Sequence, residues 1–498
     1  MNSPVLDLLG QLIFIDKSLV QPVYVQVAQQ IMNAIQRGYL EKGSKLPGTR
    51  GLSELLNVHR NTAVAIYDEL ASQGWVSIVP NKGTFVVFPE DSTQKIKATT
   101  QHINDVYEYP KAPGFPFQQS FNLASTKEES TAKYSISDGK PDLRLHPVHQ
   151  FSRWYSAAMK RKPLINKWNR TSALIPSVFS TQLCNYLNAT RGFHIKPTNL
   201  LNTRSTEMSL YIVSRVLINP GDLVLVGTLS NYVANMIFQQ AGAKIKTVPV
   251  DDEGLDVNYI LEHYANLNIR CIYVCSNRHY PTTTTLSTKR RLQLLALAKN
   301  LGFAVIEDDF DHDFQFDGSS MLPMASADAN GNIIYLGKLG QSLFPSFHTG
   351  FVVAPEQVVT EAKNYLQLLD TQGDLIQEQM LSELIAEGEI YRLKKKNIVT
   401  YKQRRDLLCH LLDKYFDGIL EWKIPSGGLA IWLRFKKSIS LIKLAEEAEK
   451  HELFLPKTIL YQDKTNCAIR FGYGHLNEEE LLIVVKALKE AYVKLTAP

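Results

Sequence analysis

The stretch RRLQLLALAKNLGFAVIEDDF, residues 290–310, carries the reading of the fold. Its first half is an amphipathic helical pattern, a glycine closes it, and a short apolar run then ends in Glu307, Asp308 and Asp309. Helix, break, buried strand and polar strand end make one unit of an alternating α/β chain. The same texture continues on both sides in LLNTRSTEMSLYIVSRVL, DLVLVGTLSNYVANMIFQQAGAKIKTVPV, RCIYVCSNRHYPT and GNIIYLGKLG. Short apolar runs between amphipathic helices predict a mostly parallel sheet covered on both faces, from about Tyr134 onward. Ligands of such sheets bind beyond the carboxyl ends of the strands, where NTRSTE, SNRHYPT, EDDFDHDF and GKLGQS fall.

The chain has 498 residues. One core stops growing at about 250–300 residues, so at least two domains are expected. The composition, 45% apolar and 21% charged, is that of a globular protein, and no apolar run is long enough to span a membrane. The amino terminus has no basic start and no small-residue cleavage site, so a cytoplasmic protein is expected. Cys184, Cys271, Cys275, Cys409 and Cys467 are scattered and fit a reducing compartment. Cys271 and Cys275 have no further metal ligands near them and read as core thiols.

Acids and bases balance in the first 90 residues, so a nucleic-acid surface must come from local placement. VYVQVAQQIMNAIQRGYL, 23–40, carries a helical stripe at Val23, Val27, Ile31, Ile35 and Tyr39. Two further helical patterns, broken at NVHR, lead into VSIVPNKGTFVVF, which reads as a β-hairpin with its tip at PNKG. The order is that of a winged helix-turn-helix. Its second helix, from about Asn61 to Gln73, presents its first residues to base edges and phosphates. Arg60 suits a bidentate guanine or phosphate contact, Asn61 and Thr62 supply short hydrogen-bonding groups, and Arg50 and Lys82 are placed for phosphates. Residues 1–88 are thus a DNA-binding domain, 89–133 a polar tether without sustained periodicity, and 134–498 the α/β domain.

The first domain resembles the GntR type along its length, through Leu46, Pro47, Arg50, Leu52, Val58, Arg60, Thr62, Tyr67, Leu70, Gly74 and the wing Gly83 to Val86. His59 stands where that family has Ser or Thr. ISDGKPDLRLHP, INPGDLVLVG, HYPTTTTLSTKRRLQLL, IEDDFDHDFQFDG, YLGKLGQSLFPSFHTGFVVAP, YKQRRDLL, GGLAIWL and RFGYGHLNEEEL follow in the order and spacing of the MocR (GabR-like) regulators. The resemblance implies a GntR winged helix fused to a fold-type I aminotransferase domain that binds pyridoxal phosphate (PLP). It also implies a head-to-tail homodimer acting as a transcription regulator on DNA.

On that resemblance Asp308 matches the acid that pairs with the pyridine nitrogen, and Arg470 the residue that clamps an effector carboxylate. Ser205 and Thr206 fall in the phosphate-contacting turn, Phe310 replaces a tyrosine near the cofactor's phenolic oxygen, and His348 replaces an arginine that helps hold phosphate. Gln341 occupies the position of the cofactor-linking lysine. An amide nitrogen does not condense with an aldehyde, so no catalytic residue is assigned and PLP is expected to be held non-covalently or lost. The expected role is sensing a small amino-acid-like or anionic effector, with a PLP-dependent aminotransferase as the alternative. Two readings stay open for Tyr232, stacking on a planar ligand ring or ordinary core packing, and two for Arg278 and His348, a new anion site or bystanders. Lys338, three residues before Gln341, is expected on the opposite face as a surface or strand-end cation.

Overall fold

The computed structural model describes residues 4–16, 22–36, 39–80, 82–87, 113–116, 128–160, 177–318, 321–340, 349–371 and 373–497. The chain divides into two compact units, residues 1–127 with 462–466, and residues 128–461 with 467–498.

The smaller unit contains α1 (Pro4–Leu12), α2 (Val23–Gln36), β1 (Lys45–Leu46), α3 (Thr49–Leu56), α4 (Arg60–Ser72), β2 (Val76–Val79) and β3 (Gly83–Val86). The apolar stripe of α2 buries Val27, Ile31 and Ile35 against Leu52, Ile66 and Leu70, while Tyr39 lies beyond the helix end. Each such aliphatic side chain, fully buried, contributes about 1.5–3 kcal/mol. Between α3 and α4 the backbone turns at Asn57, whose φ of 50° is the left-handed conformation that asparagine tolerates. Tyr67 of α4 donates its hydroxyl to the Pro47 carbonyl, which ties the helix to the turn before α3. The wing is antiparallel, with β3 between β1 and β2. Gly83 opens β3 at a φ of +121°, and a Cβ there would meet the Lys45 side chain.

The larger compact unit includes residues from Glu128 onward. Its β4 (Tyr134–Ser135) pairs in parallel with β16 (Leu453–Phe454), and Glu128 accepts a hydrogen bond from the Lys457 amide. The rest of the tether, 89–112 and 117–127, lies outside the described residues. Helices α5 (Val148–Met159) and α6 (Val178–Arg191) precede β5 (Leu200–Thr203), α7 (Thr206–Leu217), β6 (Leu223–Gly227), α8 (Tyr232–Gln240) and β7 (Lys244–Val248). A small pair, β8 (Val250–Asp251) and β9 (Gly254–Leu255), leads to α9 (Val257–Tyr264), β10 (Ile269–Val274), α10 (Thr288–Leu301) and β11 (Ala304–Asp308). Then come β12 (Ile333–Leu339), β13 (Thr349–Val353), α11 (Glu356–Leu369), α12 (Leu375–Ala386) and α13 (Glu389–Phe416).

The seven-stranded sheet has the order β5-β13-β12-β11-β10-β6-β7. Only β13 runs against its neighbours, so the sheet is mostly parallel, as expected. One face is covered by α7, α8 and α11 through Leu210, Val213, Phe238 and Val359. The other packs on α9 and α10 through Ile260 and Leu294, and on α6 and α12 through Leu187 and Met380. A four-stranded sheet, β14 (Leu420–Glu421), β15 (Ala430–Phe435), β18 (Cys467–Gly472) and β17 (Leu460–Gln462), follows in that spatial order. It packs on α13, α14 (Leu441–Glu449) and α15 (Glu478–Thr496). All five cysteines are buried and none is in a disulfide. Among the described residues no helix is long and apolar enough to cross a membrane.

Candidate functional site

The carboxyl edge of the large sheet is built in rows. Asp308 closes β11 opposite Leu336 of β12, which faces Val352 of β13, which faces Leu201 of β5. The next row is Lys338, Gly350 and Thr203. In-register neighbours point to one side of a sheet. Thr203 donates to the Ser205 carbonyl at 2.9 Å and lies 2.7 Å from the Ser209 hydroxyl, so these rows face the helix α7.

Asp308 is buried, and its Oδ2 accepts a hydrogen bond from the Tyr273 hydroxyl at 2.7 Å. Its Oδ1 is buried and has no hydrogen-bond partner among the described residues. Burial pushes the carboxyl up to about 7, the nearby carboxylates Asp309, Glu207 and Asp311 acting in the same direction. Asp309 next to it behaves oppositely. Burial works against its ionised form, but the ion pair with Arg191 and hydrogen bonds from Asn277 and Tyr335 hold it down to about 2.

Ser205 is the N-cap of α7, its hydroxyl accepting from the Met208 amide at 3.1 Å. Thr206, the first residue of that helix, is nine-tenths buried, and its hydroxyl has no partner among the described residues. Tyr232 is the first residue of α8 and half-buried. Phe310 packs against the α7 and α8 core and meets Tyr280 edge-on at 6.3 Å. Gln341 and His348 lie outside the described residues.

Lys338 lies at the end of β12 and is half-buried, a strand-end rather than a surface cation, and its face relative to Gln341 falls outside the described residues. It stands on the face of Asp308, and burial holds its ammonium below the ordinary lysine value while Glu207 and Asp308 pull it upward. The parity that places it there is counted along β12 from Leu336. Arg278, for which two readings stood open, is engaged within the domain: its guanidinium donates to the Asp311 carboxylate and carbonyl and to Gln315, at 2.7–2.8 Å.

Arg470 lies on β18, buried. Its Nε donates to Asp138 Oδ1 at 2.7 Å and its Nη1 to the Pro281 carbonyl at 2.9 Å, and its guanidinium carbon lies 4.9 Å from the Tyr280 ring centroid. Asp138 was not singled out from the sequence, and it stands where an effector carboxylate was expected. His279 is also buried, which pushes its imidazole down to about 4, with Arg470 adding to the effect.

Residues 147–488 match the aminotransferase class I and II family. The chain belongs to that family. Residues 23–86 of this aminotransferase-family protein match the gntR family of bacterial regulatory proteins. It is 23% identical over 497 residues to the probable rhizopine catabolism regulatory protein MocR of Rhizobium meliloti, covering 97% of this chain and 96% of the relative. It is 24% identical to the HTH-type transcriptional regulator TauR of Rhodobacter capsulatus, covering 84% of this chain and 85% of that one. An archaeal alanine:glyoxylate aminotransferase structure superposes with a TM-score of 0.66 at 24% identity, over 72% of this chain and 91% of that one, which fixes the fold. The GntR domain fused to an aminotransferase domain is therefore as expected.

The aminotransferase class I and II family is PLP-dependent. The residues of this member fit a phosphate oxygen at the unpartnered Thr206 hydroxyl and a protonated ring nitrogen at the unpartnered Asp308 Oδ1.

In the smaller unit Arg60 and Asn61 are exposed at the start of α4, Thr62 is half-buried, and Lys82 is exposed in the wing turn. Arg50 is exposed and reaches Glu54 at 3.2 Å, one turn along α3. His59 caps α4 by accepting from the Asn61 amide at 3.3 Å, which the sequence reading did not assign to it. That explains how histidine serves where Ser or Thr is usual.

Proposed function

We propose that the protein is a DNA-binding transcription regulator whose aminotransferase domain senses a small ligand and does not catalyse. The observation carrying this reading is the exposed Arg60 and Asn61 at the start of the second helix of a GntR-type winged helix. Full-length similarity to regulators supports it. Arg50, Thr62 and Lys82 add backbone contacts, and two copies in a head-to-tail dimer read repeated half-sites. Residues 1–88 bind DNA, 89–133 tether, and 134–498 sense and dimerise.

In the sensing domain Asp308 and Thr206 would hold PLP or a ligand like it, with Phe310 and Tyr232 beside the ring and Ser205 and His348 toward the phosphate. Bound PLP supplies an aldehyde that amines attack, and Gln341 offers none. An amino-acid-like or anionic effector meets Arg470 at Nη2, or displaces Asp138. Such a ligand shifts DNA binding only through unequal affinity for two arrangements of the protein.

The test is selection of bound DNA from random duplexes with the full chain, followed by fluorescence anisotropy on the enriched sequence with and without amino acids and PLP. A repeated half-site and a ligand-dependent affinity are expected. No sequence preference, or turnover of an amino acid and a keto acid, overturns the reading.

A further inference from the structure

Asp138 stands between Arg470 and solvent, for the arginine side chain is 4% exposed and that of Asp138 is 40% exposed. The arginine Nε donates to Asp138 Oδ1, its Nη1 donates to the Pro281 carbonyl, and the Tyr280 ring covers one face of the guanidinium. The second carboxylate oxygen, Oδ2, accepts from the Tyr280 hydroxyl at 3.0 Å, and Tyr280 accepts in turn from the Tyr461 hydroxyl at 3.2 Å. Asp138 thus makes with both oxygens the contacts a ligand carboxylate would make. A carboxylate arriving beside this pair sets two negative charges against one cation at close range. Exchange of one carboxylate for the other keeps the charge balanced, and the displaced group, already partly exposed, returns to water.

The stretch that carries Asp138 is seated on the same strand as Arg470. The Gly472 amide, two residues beyond Arg470 on β18, donates to the Ser137 carbonyl at 2.9 Å. A Cβ on Gly472 would collide with the backbone of Ser137 and Gly139, so there is no slack between the two chains. Beyond Asp138 the chain is fixed: Asp142 is buried, pairs with Arg404 at 2.8 Å, and its amide donates to the Tyr401 hydroxyl. Before Asp138 the hold is lighter. It consists of the two-residue pairing of β4 with β16, the buried Ile136, and amide contacts of Lys133 with Glu452 and of Lys457 with Glu128. Withdrawal of Asp138 therefore moves the side toward Glu128, not the side toward α5.

We infer that Asp138 is a built-in occupant of the Arg470 site, and that an effector carboxylate acts by displacing it and loosening residues 128–137, where the tether from the DNA-binding unit arrives. The inference rests on the reading of the chain as a ligand-sensing DNA-binding regulator and names how that site is regulated.

Asp138→Asn removes the charge and keeps the shape, so the displaced state is expected with no ligand present. Amide hydrogen exchange of the full chain is expected to quicken about tenfold at Tyr134, Ile136 and Gly472, whose amides donate to Glu452, Phe454 and Ser137. In the same ligand-free protein, affinity for the DNA selected by the wild-type chain is expected to change by about fivefold or more. Tyr280→Phe removes only the Oδ2 contact and is expected to give both changes at smaller size, so it reports even where Asp138→Asn does not fold. Unaltered exchange at these amides in a folded variant overturns the inference. So does quickened exchange with DNA affinity equal to that of the wild type, which is the mark of a merely structural contact. If the wild-type chain selects no DNA, the regulator reading falls instead, and exchange alone decides whether Asp138 holds the stretch down.

Discussion

Arg60, Asn61 and Lys82 of the winged helix stand in water with their hydrogen-bonding groups turned to solvent, whereas Asp309, Arg278 and Arg470 of the large domain are buried and already paired. The first arrangement suits a long polyanion that arrives from solvent and releases counterions as it binds. The second suits a small ligand that takes a place among internal contacts and is judged by those it replaces. Charge in the two regions therefore costs differently. An exposed arginine is hydrated until DNA arrives, but a buried one needs its carboxylate throughout.

The largest expected effect breaks the buried side of that contrast. Arg191→Ala leaves Asp309 buried with only hydrogen bonds from Asn277 and Tyr335, and is expected to cost about 3–5 kcal/mol, read by urea unfolding of the full chain. A loss below about 1 kcal/mol would show that the charged interior is not structural.

Asp308 sharpens the contrast through pH. Its folded pKa, about 7, lies above the unfolded value of 3.8, so the folded state holds the proton more tightly. Its contribution to stability is greatest below about pH 4 and is lost as pH rises to about 7. Asp308→Asn removes that dependence. Relative to wild type the variant is expected to gain stability between pH 5 and pH 8, by at most about 3 kcal/mol at about 1.4 per pH unit. A gap independent of pH in thermal melts would refute the burial of an ionisable carboxyl.

The smallest effects lie on DNA. Arg60→Ala is expected to weaken binding to the selected site by about 1–3 kcal/mol and to relax preference at one base pair. Arg50→Ala lowers affinity for all sequences alike and reduces the salt slope by about one. Its ion pair with Glu54, 87% and 68% exposed, contributes less than about 0.5 kcal/mol to folding. Unequal base preference after Arg50→Ala would place that residue on a base.

The fold was legible because its signals are local. The stripe Val27, Ile31 and Ile35, the hairpin around PNKG and the run ending at Asp308 each depend on neighbours in sequence. Asp308 and Thr206 were singled out from resemblance, and they lie at a strand end and a helix start. What escaped was pairing across long separations. Asp138 reaches Arg470, Arg191 reaches Asp309 and Tyr273 reaches Asp308 only once the strands are in register.

Gly350 carries a consequence of its own. With no room for even a methyl group against the Ser205 carbonyl, the spacing between sheet edge and helix is set by an absent side chain. Alanine there would push the opening turn of α7 outward while leaving every candidate ligand-touching residue chemically intact. Geometry could thus be altered there while the chemistry of the lining side chains stays as it is.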